Sequence, residues 1–482
     1  MKFSLLIPEL ILFSGAILIL MLDVFFNKKN QYFVFFSHLF TLIICGLAVY
    51  FAVKSFGAPE TSFNNMINSS PIVAISKSFM ILLLTMVVLI SIRYSFTLEK
   101  YSSEFFALLM IASVGGLLMI SANDLLIFYL GLELQALSLY LLAAFNIKSP
   151  RSSEAGIKYF ILGSLASGIL LYGISMVYGY CGSTNFTQIN EFVAKLKPEE
   201  VPLGLIFGLV MVITAMFFKI SAAPFHFWAP DVYQGSPTIV MGFFGTVVKF
   251  STMMALIILS LNTPWQVVAK IMLLVAMVSI AVGSIGAVAQ HNLKRLLAFS
   301  SISHVGFILL ALIGLDKQIV DNAIFYLFVY SIVSIGVFSF LTIMRTPKEH
   351  ENDATDDKTF AISSLAGLSQ NHPIMAFCLT ILMLSSAGIP PLAGFFAKFY
   401  VLKTAIMVGM LPYAVIAIIL SVISAFYYLR IIKIMYFDEP SPNLLLEDYG
   451  NARLVTIICA LINIFLIFVL STLMSSLNNF LN

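Results

Sequence analysis

Apolar residues in this chain fall into long blocks, with polar residues gathered into short stretches between them. At about 20 apolar residues per membrane crossing, the pattern predicts an all-α polytopic membrane protein with about fourteen transmembrane helices. The first seven lie near 5–26, 32–54, 72–94, 104–121, 123–145, 154–181 and 203–223, and the second seven near 238–261, 265–289, 296–314, 321–344, 373–408, 411–437 and 453–476. Only the loops 55–71, 182–202 and 345–372 are long, and none has room for a soluble domain.

Two blocks depart from the pattern. The stretch LVMVITAMFFKISAAPFHFWAPDVYQGSP (209–237) carries Lys219 and then Pro224, which cannot continue a helix hydrogen-bond ladder, followed by His226, Trp228, Pro230 and Asp231. The twelfth block is too long for one straight helix and contains Gly388, Pro390, Pro391 and Gly394. Broken helices in corresponding positions of two halves point to an inverted-repeat transporter. An offset of five spans turns the second unit upside down relative to the first. The whole chain, 1–482, therefore reads as one integral membrane domain: a three-helix segment 1–100, inverted five-helix units 104–261 (spans 4–8) and 265–437 (spans 9–13), and a final helix 453–482.

Composition narrows the class. The 482 residues are 60% hydrophobic and only 10% charged, against about 25% charged in soluble domains. A net charge of +3 without a basic tract excludes a nucleic-acid partner and leaves the lipid bilayer as the surroundings. Cys45, Cys181, Cys378 and Cys459 are scattered through apolar runs and read as small buried hydrophobes. There is no Walker loop, dinucleotide fingerprint or cysteine cluster, so the chain is expected to hold no cofactor or metal of its own. Lysine and arginine are more frequent in the odd-numbered loops (Lys28, Lys29, Arg93, Lys100, Lys148, Arg151, Lys294, Arg295, Arg345, Lys348), which places those loops in the cytoplasm and both termini outside. The first apolar run has no cleavage site after it and reads as a retained span. The lack of a transit sequence favours a bacterial plasma (inner) membrane, although an organelle-encoded chain would look the same.

Four ionisable residues fall near span centres: Glu133, Lys219, Lys249 and Lys398. Each charge at mid-bilayer costs about 2.5–3.5 kcal/mol, so four cost roughly 10–14 kcal/mol unless they pair, neutralise or face water. A structural ion pair between Glu133 and a lysine is the bland reading, but one carboxylate cannot balance three lysines. The functional reading is a proton path. Glu133 tunes Lys219, Lys249 takes the proton laterally, and Lys398 passes it to the far side, because desolvation and a nearby carboxylate shift a lysine in opposite directions. His304, in LLAFSSISHVGF, is placed by the repeat offset where Glu133 stands in the first unit; it is either a neutral histidine bonded to serine or a relay between Lys249 and Lys398. Lys158 either snorkels to the surface or tunes Lys219. Glu9 and Asp23 are expected at the interfaces, and His226 and Asp231 are expected to cap or hold the turn of the broken helix.

These stretches also resemble a family. FKISAAPFHFWAPDVYQGSPT (218–238), RLLAFSSISHVGF (295–307) and GIPPLAGFFAKFYV (388–401) are similar to the antiporter-like membrane subunits of respiratory complex I. YFILGSLASGILLYGISMVYG (159–179) and PDVYQGSPT resemble the subunit N type of bacterial NADH:quinone oxidoreductase. The resemblance implies a proton-channel subunit whose glutamate on the fifth helix and lysines on the seventh, eighth and twelfth correspond to Glu133, Lys219, Lys249 and Lys398. Lys158 matches a further family lysine. It also implies that NADH, FMN, iron–sulfur clusters and quinone belong to partner subunits, and that other membrane subunits, including similar antiporter-like ones, lie alongside. The thirteenth span, ILSVISAFYYLR, lacks a lysine to mirror Lys249, which leaves Lys398 as the only basic group of the second half-channel. The rival readings are a subunit of a Mrp-type sodium/proton antiporter, with the same charges driven by ion gradients, and a membrane scaffold without transport.

Overall fold

The computed structural model describes residues 2–25, 31–57, 59–98, 103–197, 200–262, 268–313, 317–345, 358–441, 445–447 and 450–481. Lys28, Lys29, Lys100 and Lys348, used above for orientation, and the 346–357 part of the long loop lie outside the described residues. Among the described residues, twelve helices are long and apolar enough to cross a membrane. Spans one to six are Phe3–Phe25, Phe35–Lys54, Pro71–Ile92, Ser103–Ser121, Leu125–Ala143 and Pro150–Cys181. Spans eight to eleven are Thr238–Leu261, Ala269–Val288, Leu293–Leu312 and Val320–Ile343, and spans thirteen and fourteen are Leu411–Phe437 and Gly450–Leu470. The missing seventh and twelfth are the broken ones. The seventh is Leu203–Lys219 followed by Trp228–Gly235, and the twelfth is Pro373–Ala387 followed by Ala393–Met407. The chain is a multi-pass membrane protein.

Helix starts follow ordinary capping chemistry. Asp124 accepts the Leu126 N–H at 2.8 Å, and Asn292 accepts those of Lys294 and Arg295. Ser149 accepts from Ser152 just ahead of Pro150 at the first helical position. Burial then sorts the spans. The eighth, tenth and eleventh are buried over 94%, 89% and 83% of their apolar windows, whereas the second, thirteenth and fourteenth are buried over only 33%. A central column of three helices is therefore wrapped by helices with broad apolar outer faces.

Close packing repeats in one register. A Cβ on Gly115 of the fourth span would strike the backbone of Gly131 and Gln135 on the fifth. A Cβ on Gly283 of the ninth would likewise strike Phe299 and Ser303 on the tenth. The matched spacing makes Phe299 the counterpart of Gly131 and Ser301 the counterpart of Glu133. His304 thus lies about one turn beyond the place the repeat offset assigned to it.

Three other expectations change. Glu9 is not exposed at the end of its span: it is 3% exposed and paired with Lys77 of the third span at 2.5 Å. Asp23 is buried as well. Lys294, counted as a loop residue, is 1% exposed inside the tenth span, with its ammonium 4.1 Å from the centre of the Phe360 ring. The long loops also carry small structures, an antiparallel hairpin pairing Glu60–Ser62 with Ile67–Ser69 and a helix Phe186–Ala194.

Candidate functional site

The first half of the site begins on the fifth span. Glu133 is half-buried and accepts a hydrogen bond from the Ser167 hydroxyl on the sixth. Two turns further along the same face stands Tyr140, whose hydroxyl takes a hydrogen bond from the Lys219 ammonium at 3.3 Å. Among the described residues no ion pair joins Glu133 to Lys219; the ammonium is bonded to the Tyr140 hydroxyl instead. Gly163 makes this possible, since a Cβ there would fall on the Tyr140 hydroxyl.

Lys219 is the last residue of its helix, beside carbonyls that have no intrahelical partner. The backbone after it leaves helical geometry but stays satisfied, as buried membrane backbone must. Ala222 N–H bonds the Phe217 carbonyl, Ala223 N–H donates to the Ser279 hydroxyl at 2.8 Å, and the Trp228 indole donates to the Phe218 carbonyl at 2.9 Å. Ser221 takes a left-handed conformation with φ of 59°, which costs a non-glycine residue about 1–2 kcal/mol. Its hydroxyl accepts from Lys249 at 3.1 Å.

Lys249 is 4% exposed and follows a turn of π-helix, Phe244–Val248, inside the eighth span. Such wide turns cluster at functional sites, and sequence periodicity did not reveal this one. The ammonium donates to Ser221 on the seventh span and to Ser301 on the tenth. It therefore bridges the two units.

The second half continues along the tenth span. Ser300 and the Tyr428 hydroxyl are 2.5 Å apart, Tyr428 is 3.1 Å from His304 Nε2, and His304 Nδ1 is 2.7 Å from the Tyr326 hydroxyl. His304 is bonded to tyrosines rather than serine. A cavity of about 20 Å3 separates His304, Tyr326 and Tyr330 from Ser386 and Lys398, enough for about one water molecule. Lys398 is 7% exposed and donates to the Ala387 carbonyl at 2.9 Å and the Ser421 hydroxyl at 3.1 Å. The thirteenth span thus supplies Ser421 and Tyr428, two turns apart on one face, where no mirror lysine exists.

The second break is held from outside its own unit. Ser385 donates to Asn463 on the fourteenth span at 2.8 Å and accepts from Gly394 N–H at 3.1 Å. Gly388 turns the chain with φ of 82°, and a Cβ there would lie 2.7 Å from Lys398 Cδ. Gly388→Ala is expected to combine about 1–2 kcal/mol of backbone strain with displacement of Lys398. Transport should fall more than assembly, which vesicle transport assays normalised to the amount of inserted chain will read.

The remaining candidates sit elsewhere. Lys158 is 43% exposed and pairs with Glu154 at 2.7 Å and Asp231 at 3.1 Å, and Asp231 also pairs with Arg295 at 2.6 Å. Asp231 caps no helix; it ties the short helix after the break to the sixth and tenth spans. Lys158 belongs to that partly exposed cluster, not to a contact with Lys219. His226 packs on Phe227 and Phe299.

A family model described as NADH:quinone oxidoreductase/Mrp antiporter, transmembrane, matches residues 122–424, the stretch that holds Glu133, Lys219, Lys249, His304 and Lys398. The chain is 42% identical over 451 residues to NADH-quinone oxidoreductase subunit N 1 of Rhizobium meliloti (strain 1021), covering 93% of this chain and 91% of that protein. A chain in respiratory complex I from Thermus thermophilus with bound aureothin superposes with a TM-score of 0.83 at 27% identity, over 98% of this chain and 99% of that one. A chain of the Mrp complex from Dietzia sp. DQ12-45-1b gives a TM-score of 0.84 over 100% and 97%, at 16% identity, a likeness of fold alone.

Proposed function

Since the chain belongs to the NADH:quinone oxidoreductase/Mrp antiporter transmembrane family, we propose that it is a proton-translocating membrane subunit of an NADH:quinone oxidoreductase. It moves protons along Glu133, Tyr140, Lys219, Lys249, His304 and Lys398 while partner subunits carry out the redox steps. The observation that carries this reading is the buried row itself: three lysines, each under 9% exposed, hydrogen-bonded to hydroxyls and a carbonyl. Uncompensated ammonium groups at that depth are expensive, whereas groups that can release and regain a proton through bonded hydroxyls or a single water are suited to transfer. In this reading residues 104–261 and 265–437 form the two half-channels and Lys249 is the lateral link between them.

Fold does not choose between an oxidoreductase subunit and a Mrp-type antiporter subunit, because both superpose equally well. Sequence favours the first, with 42% identity to a subunit N against 16% to the Mrp chain. NADH, FMN, iron–sulfur clusters and quinone are assigned to partner subunits, and other membrane subunits to the exposed apolar faces. The membrane is taken as a bacterial inner membrane with both termini outside, in line with the lysine and arginine distribution.

The test compares inverted membrane vesicles from cells with and without this chain, restored by a plasmid copy. NADH-driven proton uptake is expected to vanish without the chain and return with it, in sodium-free buffer. Unchanged NADH-driven uptake with loss of sodium/proton exchange would assign the chain to the antiporter class instead.

A further inference from the structure

One buried acid lies outside the row. Asp321, near the start of the eleventh span, is 1% exposed, and among the described residues neither carboxylate oxygen has a hydrogen-bond partner. The helix N-terminus does not account for it. That stabilisation fades within the first turn, and Asp321 is in the second turn of Lys317–Ile343. A carboxylate buried without donors is costly when charged, so this one must carry a proton or meet water for part of its life. An intramembrane acid in that position is a functional site until shown otherwise.

Its place on the helix says what it faces. Phe328 is two turns further along the same face, roughly 10 Å away at 1.5 Å per residue. Phe328 packs on Phe79 of the third span with ring centres 4.3 Å apart and on Phe250 of the eighth at 5.4 Å, and Phe79 and Phe250 are 5.0 Å apart. Phe250 directly follows Lys249. The seam where spans three, eight and eleven pack together thus has an unpartnered acid at one end and three mutually packed rings at the level of the central lysine. Toward the other end lies a small apolar cavity with Thr238 and Thr342 in its wall.

We infer that Asp321 is a further proton-carrying residue, exchanging protons between the central lysine and the membrane face on which the chain begins, with Phe79, Phe250 and Phe328 as the barrier between them. When the rings part and water enters, the Lys249 ammonium gives its proton through that water to the Asp321 carboxylate. A neutral amine and a carboxylic acid result, and the acid then releases the proton to water at that face. With the rings closed the two sites are insulated, as a pump without a leak requires. The inference rests on the proposed function above.

The test measures NADH-driven proton uptake in inverted vesicles at matched complex assembly, for wild type, Asp321→Asn, Asp321→Glu and Lys219→Ala. Asparagine keeps the shape but cannot take a proton, and is expected to lower uptake about tenfold, less than the roughly hundredfold or more of a directly positioned acid–base group. Glutamate is expected to restore most of it. Wild-type uptake in Asp321→Asn overturns the inference, as does an equal loss with asparagine and glutamate, which marks a packing role. In the first case Lys219→Ala separates the two failures: if it is inactive, only Asp321 was misassigned, and if it also pumps normally, the proposed function falls as well.

Discussion

Replacing Lys219 by alanine is expected to cut NADH-driven proton uptake roughly a hundredfold, the lower end of what one positioned proton-transfer group contributes. The substitution should be benign for folding. Lys219 ends its helix, and the break after it is held by backbone and side-chain bonds that do not involve the ammonium. What disappears is the ammonium that donates to the Tyr140 hydroxyl. Tyr140→Phe is the companion variant. It keeps the ring, which meets Tyr159 edge-on at 4.9 Å, and removes only the hydroxyl, so a smaller loss is expected. Uptake is to be normalised to assembled complex and read together with NADH–quinone turnover. Full pumping in an assembled Lys219→Ala complex would remove Lys219 from the path.

The fold was legible where the physics is local and one-dimensional. Bilayer thickness fixes the length of an apolar block, and proline chemistry fixes where Leu203–Lys219 and Pro373–Ala387 stop, so block lengths and the two breaks could be read directly. Glu133, Lys219, Lys249 and Lys398 were visible because a charge at a span centre stands out against an apolar background. The neutral partners were not. Ser167, Ser221, Ser301 and Ser421 resemble the many serines that merely bond back to their own helix, as Ser113 does to Leu109. Tyr140 and Tyr428 read as packing aromatics. The signal that would have found Tyr140 is its spacing of two turns from Glu133, and for Tyr428 the same spacing from Ser421.

Other misses came from depth and register. Glu9 lies close to the start of its span, where an exposed side chain is expected, but it pairs with Lys77 of the third span within the helix packing. Partner choice across helices is not written in either block. His304 was matched to Glu133 by counting spans, and only the glycine contacts between spans four and five and between nine and ten set the register to the residue. The π turn ahead of Lys249 left no trace because its five residues, Phe244–Val248, are as apolar as their neighbours.

Lys249→Ala is expected to match the Lys219 variant, roughly a hundredfold, for a different reason: it removes the bridge rather than an end. The ammonium spans from Ser221 on the seventh helix to Ser301 on the tenth, and among the described residues no other charged group joins those two hydroxyls. Its two bonds are not interchangeable. Ser221→Ala releases a left-handed residue's only side-chain contact with the lysine, and Ser301→Ala cuts the approach to Ser300, Tyr428 and His304, so each should cost less than the lysine itself. The decisive comparison is a double-mutant cycle. If Ser301 works through Lys249, adding Ser301→Ala to Lys249→Ala should lower uptake no further. A second, full loss in the double variant would mean that protons reach Ser301 by another route, and the lateral step would have to be drawn without Lys249.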